Sequence, residues 1–261
     1  MFFRELINYF SIWELFFINL VILMGISLAA FYLGRFVMPA LKKDEEYSKS
    51  TDSVLGILGS GYGVFLGFVI ITLWNHYLNV KKIVYREADA LSVIVRDLEV
   101  FPSRDIQPLK NSLVEYLHVT RTDEWQQMKE GKNSEQTWNA VYKMYRSFQD
   151  YMPQNAKENI YYRQVITSLD SLLKDRRDRL IAAQSILNDE LRTALILGAV
   201  IIIFLSSFLK ANEGSIRIFA NFCLAVVIGF NLTLALTFDY PFSGSISVSN
   251  ASFYQGVLSK L

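Results

Sequence analysis

Four stretches of this chain carry no charged residue: Leu15 to Gly34, Ser53 to Val80, Thr193 to Leu209 and Ile218 to Phe238. A bilayer core takes roughly 20 apolar residues of helix to cross, and each run is close to that length or beyond it. Backbone polar groups find no water in lipid, so helices are the expected spanning form. The third run is the shortest. It reaches length through Leu191 if Arg192 extends its guanidinium toward the interface. The competing reading of the first run is a cleaved secretory signal. Its length and the second span close behind it argue against that. The pattern predicts an all-α protein with four transmembrane helices and an extramembrane helical bundle inserted between spans two and three.

The boundaries follow from local signals. Span one is expected to end at Pro39, and Thr51-Asp52-Ser53 reads as the N-cap cluster of span two. Beyond Val80 the apolar positions continue as Val84, Leu91, Ile94, Leu98 and Phe101, at steps of three, four or seven, which is a helical core stripe. Span two and this segment therefore read as one helix, closed by Pro102. A middle helix is expected from about Pro108 to Glu130, with Gly131 as its stop. Another runs from about Ser134 to Tyr151. A further helix starts near Asn155 and leads into span three. A short connection around Asn212 to Ser215 makes spans three and four an antiparallel hairpin. In the tail, Ser245-Ile246-Ser247-Val248-Ser249 alternates like a short extended segment. The expected division is residues 1–80 for spans one and two, 81–190 for a cytoplasmic helical domain, 191–238 for spans three and four, and 239–261 for the tail.

With four spans, both termini and the middle domain share one side of the membrane. Arg4, Lys81, Lys82, Arg86, Arg176, Arg177, Arg179 and Arg192 lie on that side, against Arg35, Lys42, Lys43, Lys49, Lys210 and Arg217 on the other. The bias favours a cytoplasmic middle domain, with both termini on the same side.

Span two holds the most informative pattern. Gly59, Gly63 and Gly67 make two small-xxx-small steps, with Gly56 on the same face; such faces let helix backbones approach closely in membranes. That packing is either internal to one chain or between identical subunits around an axis. The neighbouring face runs Ser60, Val64, Phe68, Thr72 and His76, polar at both ends and apolar between. A pore with a hydrophobic gate at Val64 and Phe68 would have this profile, since apolar constrictions gate by dewetting. Gly61-Tyr62-Gly63 is not read as a potassium filter, because it sits inside an uninterrupted helical run.

Composition narrows the classes further. The net charge of +1 gives no electrostatic case for nucleic acid. The one cysteine, Cys223, permits no internal disulfide and reads as inert core. The two histidines, His76 and His118, are not at metal-ligand spacing. No nucleotide, zinc or nucleophile motif is present, so neither an enzyme nor a cofactor is expected. Asn19, Asn221 and Asn231 lie within spans and are expected to bond across helices. Glu87 falls on the core stripe between Val84 and Leu91, and Arg176 on the stripe between Leu173 and Leu180. A buried acid needs a partner, so Glu87 is expected to pair with Arg176 or a neighbouring arginine as a structural ion pair.

Phe65-Leu66-Gly67-Phe68, with Trp74 and Tyr77 after it, resembles the pore-lining helix of bestrophins. Over most of its length the chain is similar to a bestrophin-like bacterial family of unknown function. That similarity rests on Glu87, Glu124-Trp125, Arg176-Arg177-Asp178-Arg179, and Asp239-Tyr240-Pro241-Phe242-Ser243-Gly244 followed by Val248. The resemblance implies a pentameric anion channel whose neck residues fall at Phe68, Val64 and Ser60. Ser60 departs from the apolar neck, and the acidic calcium clasp of eukaryotic bestrophins is missing. The expected partners are the lipid bilayer, inorganic ions (chloride first) and further copies of the same chain. A cation channel and a non-conducting scaffold or sensor whose helical domain docks a partner are the alternatives.

Overall fold

The computed structural model describes residues 2–37, 45–102, 106–209 and 215–261, with side chains from residue 50 and from residue 218 in the last two helices that border the gaps. Pro39, Lys42, Lys43, Lys210 and the Asn212 connection lie outside the described residues, as do the side chains of Lys49 and Arg217. The helices are α1 (Phe2–Tyr9), α2 (Ile12–Val37), α3 (Glu45–Asp97), α4 (Gln107–Val119), α5 (Trp125–Lys129), α6 (Glu135–Asp150), α7 (Ala156–Ala182), α8 (Asp189–Phe208) and α9 (Ser215–Phe238). Among the described residues no strand occurs. Four helices there are long and apolar enough to cross a membrane, within Ile12–Val37, Ser50–Val100, Asp189–Phe208 and Ile218–Phe238.

The chain divides into two compact units. The first comprises residues 1–75, 185–240 and 244–246. Here α2, α8 and α9 pack on one another. Polar side chains tie them in the manner expected of membrane helices. Ser27 and Ser207 share a hydrogen bond of 2.8 Å. Asn19 donates to Thr233 at 2.8 Å, and Ser206 donates to Asn221 at 2.6 Å. Asn231 differs from expectation: its amide donates to Val227 O in its own helix. Cys223 is exposed rather than core, because the buried face of α9 runs through Ala225, Ile228, Leu232 and Ala235 instead. Ahead of α2 the chain forms the separate helix α1. Ser11 and Glu14 close a reciprocal capping box at the start of α2, with Ser11 N–H donating to Glu14 Oε2 at 2.7 Å and Glu14 N–H to Ser11 Oγ at 3.3 Å.

The second unit comprises residues 76–184, 241–243 and 247–261. Its core gathers Leu91, Ile94, Leu98, Leu113, Leu117 and Phe148, all at most 1% exposed. Ser134 and Asn155 cap α6 and α7, each accepting from the backbone N–H three residues on.

Four boundaries differ from the sequence reading. Helix α3 begins at Glu45, so Thr51-Asp52-Ser53 lies inside it; the acidic residues Glu45 and Glu46 suit a helix N-terminus equally well. The helix expected over Pro108 to Glu130 is interrupted by a π-turn, Thr120–Glu124. Helix α7 does not lead into span three, since residues 183–188 separate it from α8. The tail residues Ser245 to Ser249 form turns and irregular chain, followed by 3₁₀ turns Ala251–Tyr254 and Gly256–Lys260.

Candidate functional site

Helix α3 is unbroken through Gly61-Tyr62-Gly63. One face of its first half is packed within the chain: Leu66 is 5% exposed, Val69 8% and Leu73 0%. Tyr62 also turns inward. Its hydroxyl donates to Leu195 O at 2.8 Å, and its ring lies where a Cβ on Gly198 would stand. The other faces are bare. A Cβ built on Gly56, Gly59, Gly63 or Gly67 meets no atom within 4 Å among the described residues. Packing against those residues therefore does not explain these glycines. Val64 is 59% and Phe68 68% exposed. Ser60 and Thr72 are exposed too, and their hydroxyls donate to Ile57 O and Phe68 O of the same helix. Such bonds satisfy the hydroxyls in an apolar medium while leaving their lone pairs outward. His76 is half-buried, and its Nε2 has no hydrogen-bond partner.

The second unit encloses a group of buried, paired charges. Glu87 on α3 is fully buried, and its carboxylate is held by Arg179 Nε at 2.6 Å and Nη2 at 2.8 Å. The expected partner Arg176 instead donates to Glu124 Oε1, from Nε at 3.1 Å and Nη2 at 2.5 Å. Helical geometry explains the exchange. Arg176 and Arg179 are three apart on α7, so both point inward, and the π-turn carries Glu124 to the arginine that Glu87 does not take. Arg179 Nη2 also reaches Glu124 Oε2 at 2.6 Å, and Tyr116 Oη donates to Glu87 Oε1 at 2.7 Å. Two acids thus meet two guanidiniums, so no net charge is buried. Trp138 lies under Arg176 at 4.3 Å and Trp125 under Arg179 at 4.9 Å. Burial opposes the Arg179 charge, but Glu87 and Glu124 outweigh it and raise its pKa well above the ordinary arginine value. Burial, then the Glu87 charge, pushes the Tyr116 phenol well above the usual tyrosine value.

Of the basic residues counted toward orientation, Arg176 and Arg179 are spent in this group. Arg86 is half spent, its exposed guanidinium lying 3.0 Å from Asp175. Lys81 and Lys82 remain beside it on α3.

The Asp239–Gly244 segment, singled out above with no chemistry assigned, has a role in each unit. In the first, the buried Asp239 carboxylate accepts from Ser185 Oγ at 2.9 Å, the N–H groups of Ile186 and Leu187 at 2.9 and 2.7 Å, and Arg192 Nη2 at 2.7 Å. It thereby shapes the break before α8. Gly244 has φ +74° with Ile7 O only 2.9 Å from where its Cβ would be, so no side chain fits there. In the second unit Phe242 packs edge-on to Trp125, whose Nε1 donates to Val248 O at 3.3 Å. Ser243 Oγ donates to Lys129 O at 2.8 Å. The residues of the segment are thus structural.

The family model described as Bestrophin-like domain matches residues 21–253. The chain belongs to the bestrophin-like family. Among solved structures, a bacterial bestrophin homologue from Klebsiella pneumoniae, crystallised as a point mutant, shares its fold with a TM-score of 0.68 at 14% identity, over 91% of this chain and 95% of that one. No curated protein matches the sequence. Family and helices together make this bestrophin-like chain a multi-pass membrane protein. Among the described residues no group of His, Cys, Asp and Glu is arranged to hold a metal ion.

Proposed function

We propose that this bestrophin-like protein is a homo-oligomeric ion channel, with α3 of each copy lining a shared pore. Anions are the permeant class and five the subunit number, both by resemblance to bestrophins. Val64 and Phe68 form the apolar constriction, with Ser60 on one side and Thr72 and His76 on the other. The middle unit and the termini are cytoplasmic, at a bacterial inner membrane. Lys81 and Lys82 supply positive potential at the inner mouth.

The observation that carries the reading is the uncovered small-residue face of α3. Glycine in a lipid-facing helix gains nothing, whereas glycine against another helix lets two backbones approach. The described residues place no such helix there, so a second copy is the natural source. A ring of Phe68 and Val64 side chains would then stand on the axis side of that contact, where dewetting can gate.

Purified protein in planar bilayers should pass current, and Phe68→Ala should raise its conductance by widening the constriction. Reversal potentials in asymmetric salt should follow the anion gradient; a cation-following potential would reassign the permeant class. Protein that is oligomeric yet carries no current or flux at any voltage or salt would be a membrane scaffold instead.

A further inference from the structure

The first unit contains a cavity of about 420 Å³ that no part of the channel reading uses. Leu6 and Ile7 of α1 roof it, and Ile22, Val200, Leu232 and Leu236 wall it. That volume falls in the range of roughly 300–1,000 Å³ typical of small-ligand pockets. We propose that it binds one acyl chain of a bilayer phospholipid, under α1 as a strap. The proposal needs only that the protein is embedded in a membrane, not that it conducts.

Three features select this occupant. First, the lining offers a polar ligand no side-chain donor beyond the second N–H of the Asn19 amide. Its polar members are Asn19, Thr233 and Thr237. The Asn19 amide donates to Thr233 Oγ1 at 2.8 Å, and the two threonine hydroxyls donate to Gly229 O and Thr233 O, both at 2.8 Å. Water therefore finds few partners, and apolar cavities of this kind stay dry. Second, most of the lining belongs to α2, α8 and α9, the helices long and apolar enough to span, so the medium at the cavity's mouth is lipid. Ile18 and Ile22 at that mouth are 39% and 53% exposed, while Leu23 and Leu232 deeper in are 3% and 5%. The cavity thus grades from the lipid phase to a closed apolar end, as an acyl chain requires. Third, α1 is built as a cover. Ile7 is buried while Tyr9 on its other side is exposed. The capping box at Ser11 and Glu14 starts α2 as a separate helix, and Asn8 Oδ1 accepts from Gly244 N–H at 2.9 Å, which holds α1 in place.

Two measurements on the full-length protein test this. In bilayers of phosphatidylcholine with a diazirine on the acyl chain, photolabel should map to the segments bearing Leu6, Ile7 and Leu232. Label confined to outward positions such as Val227 and Ile201 would overturn the proposal. In the second, lipid retained after exhaustive detergent exchange is quantified by mass spectrometry. Val200→Trp, which fills the cavity, should lower it by about twofold or more, while Val227→Trp on an exposed face should not. Equal retention in the two variants would also overturn it. If Val200→Trp does not fold, the photolabel map of the unaltered protein decides alone.

Discussion

In its second half α3 buries Val80, Val84, Glu87, Leu91 and Ile94, none more than 1% exposed. In its first half the same helix leaves Gly56, Gly59, Gly63 and Gly67 with nothing within 4 Å of a built Cβ among the described residues, and Val64 and Phe68 in the open. Both halves place their key residues three and four apart, so periodicity alone does not separate them. What separates them is side-chain size and what the chain supplies to meet it. The buried half has large apolar groups around one ion group, in which Glu87 and Glu124 meet Arg179 and Arg176. The bare half already has one packed face, through Leu66, Val69 and Leu73. Its glycines make a second face that the described residues leave uncovered. The first arrangement is complete within one chain; the second is the face that the proposed assembly would use.

The comparison breaks most readily at Arg179. Replacing it with Met leaves Glu87 and Glu124 buried against too little positive charge. Removing one partner of a buried ion pair costs about 3–5 kcal/mol. Arg179→Met should therefore melt the second unit well below the parent temperature. Trp125 stacks on Arg179 and so supplies the fluorescence signal. Arg179→Lys should rescue little, because an ammonium does not reproduce the bidentate fork on Glu87. A melting curve like the parent's would mean that this group does not hold the unit together.

A smaller effect is expected at Tyr116. Tyr116→Phe removes the bond to Glu87 Oε1 but leaves that oxygen on Arg179 Nη2. The cost should be about 1–2 kcal/mol, the usual range for a buried hydrogen bond to a charged group. The phenol also carries a pH signature. Its folded pKa is raised, so the neutral form is favoured on folding. That contribution is whole below the unfolded value near pH 10 and is lost as pH rises through the higher folded one. Parent and Tyr116→Phe stabilities should converge at strongly alkaline pH, and a constant gap would count against the assignment.

How much of this was legible follows the same division. The spans were legible because lipid demands long uncharged runs. Glu87 was legible as a charge on an apolar stripe. Its partner was narrowed to a cluster but not to Arg179, since both arginines satisfy the helical period. The choice depends on Glu124, which the π-turn brings in, and no apolar pattern marks a π-turn. The break before α8 was missed for a related reason. Residues 183–188 are held by the Asp239 carboxylate from more than 50 positions away, whereas local propensity reads only neighbours. Helix α1 had a signal that went unread, the Ser11-x-x-Glu14 capping box.

The smallest change in folding should come from Gly63→Leu, and it sharpens the contrast most. At Cβ the added side chain meets no atom among the described residues. Leucine also favours helix over glycine by roughly 1 kcal/mol in water, so the single chain should melt at or slightly above the parent temperature. In an assembly built on this face the same side chain would stand where a second backbone belongs. Chemical crosslinking in native membranes should then show loss of the oligomer while monomer folding persists. Had the glycines been filler on a lipid-facing helix, assembly would be unchanged. Had they packed within the chain, folding would fail together with assembly. Only a separation of the two, folding kept and association lost, is the behaviour of a surface reserved for another copy.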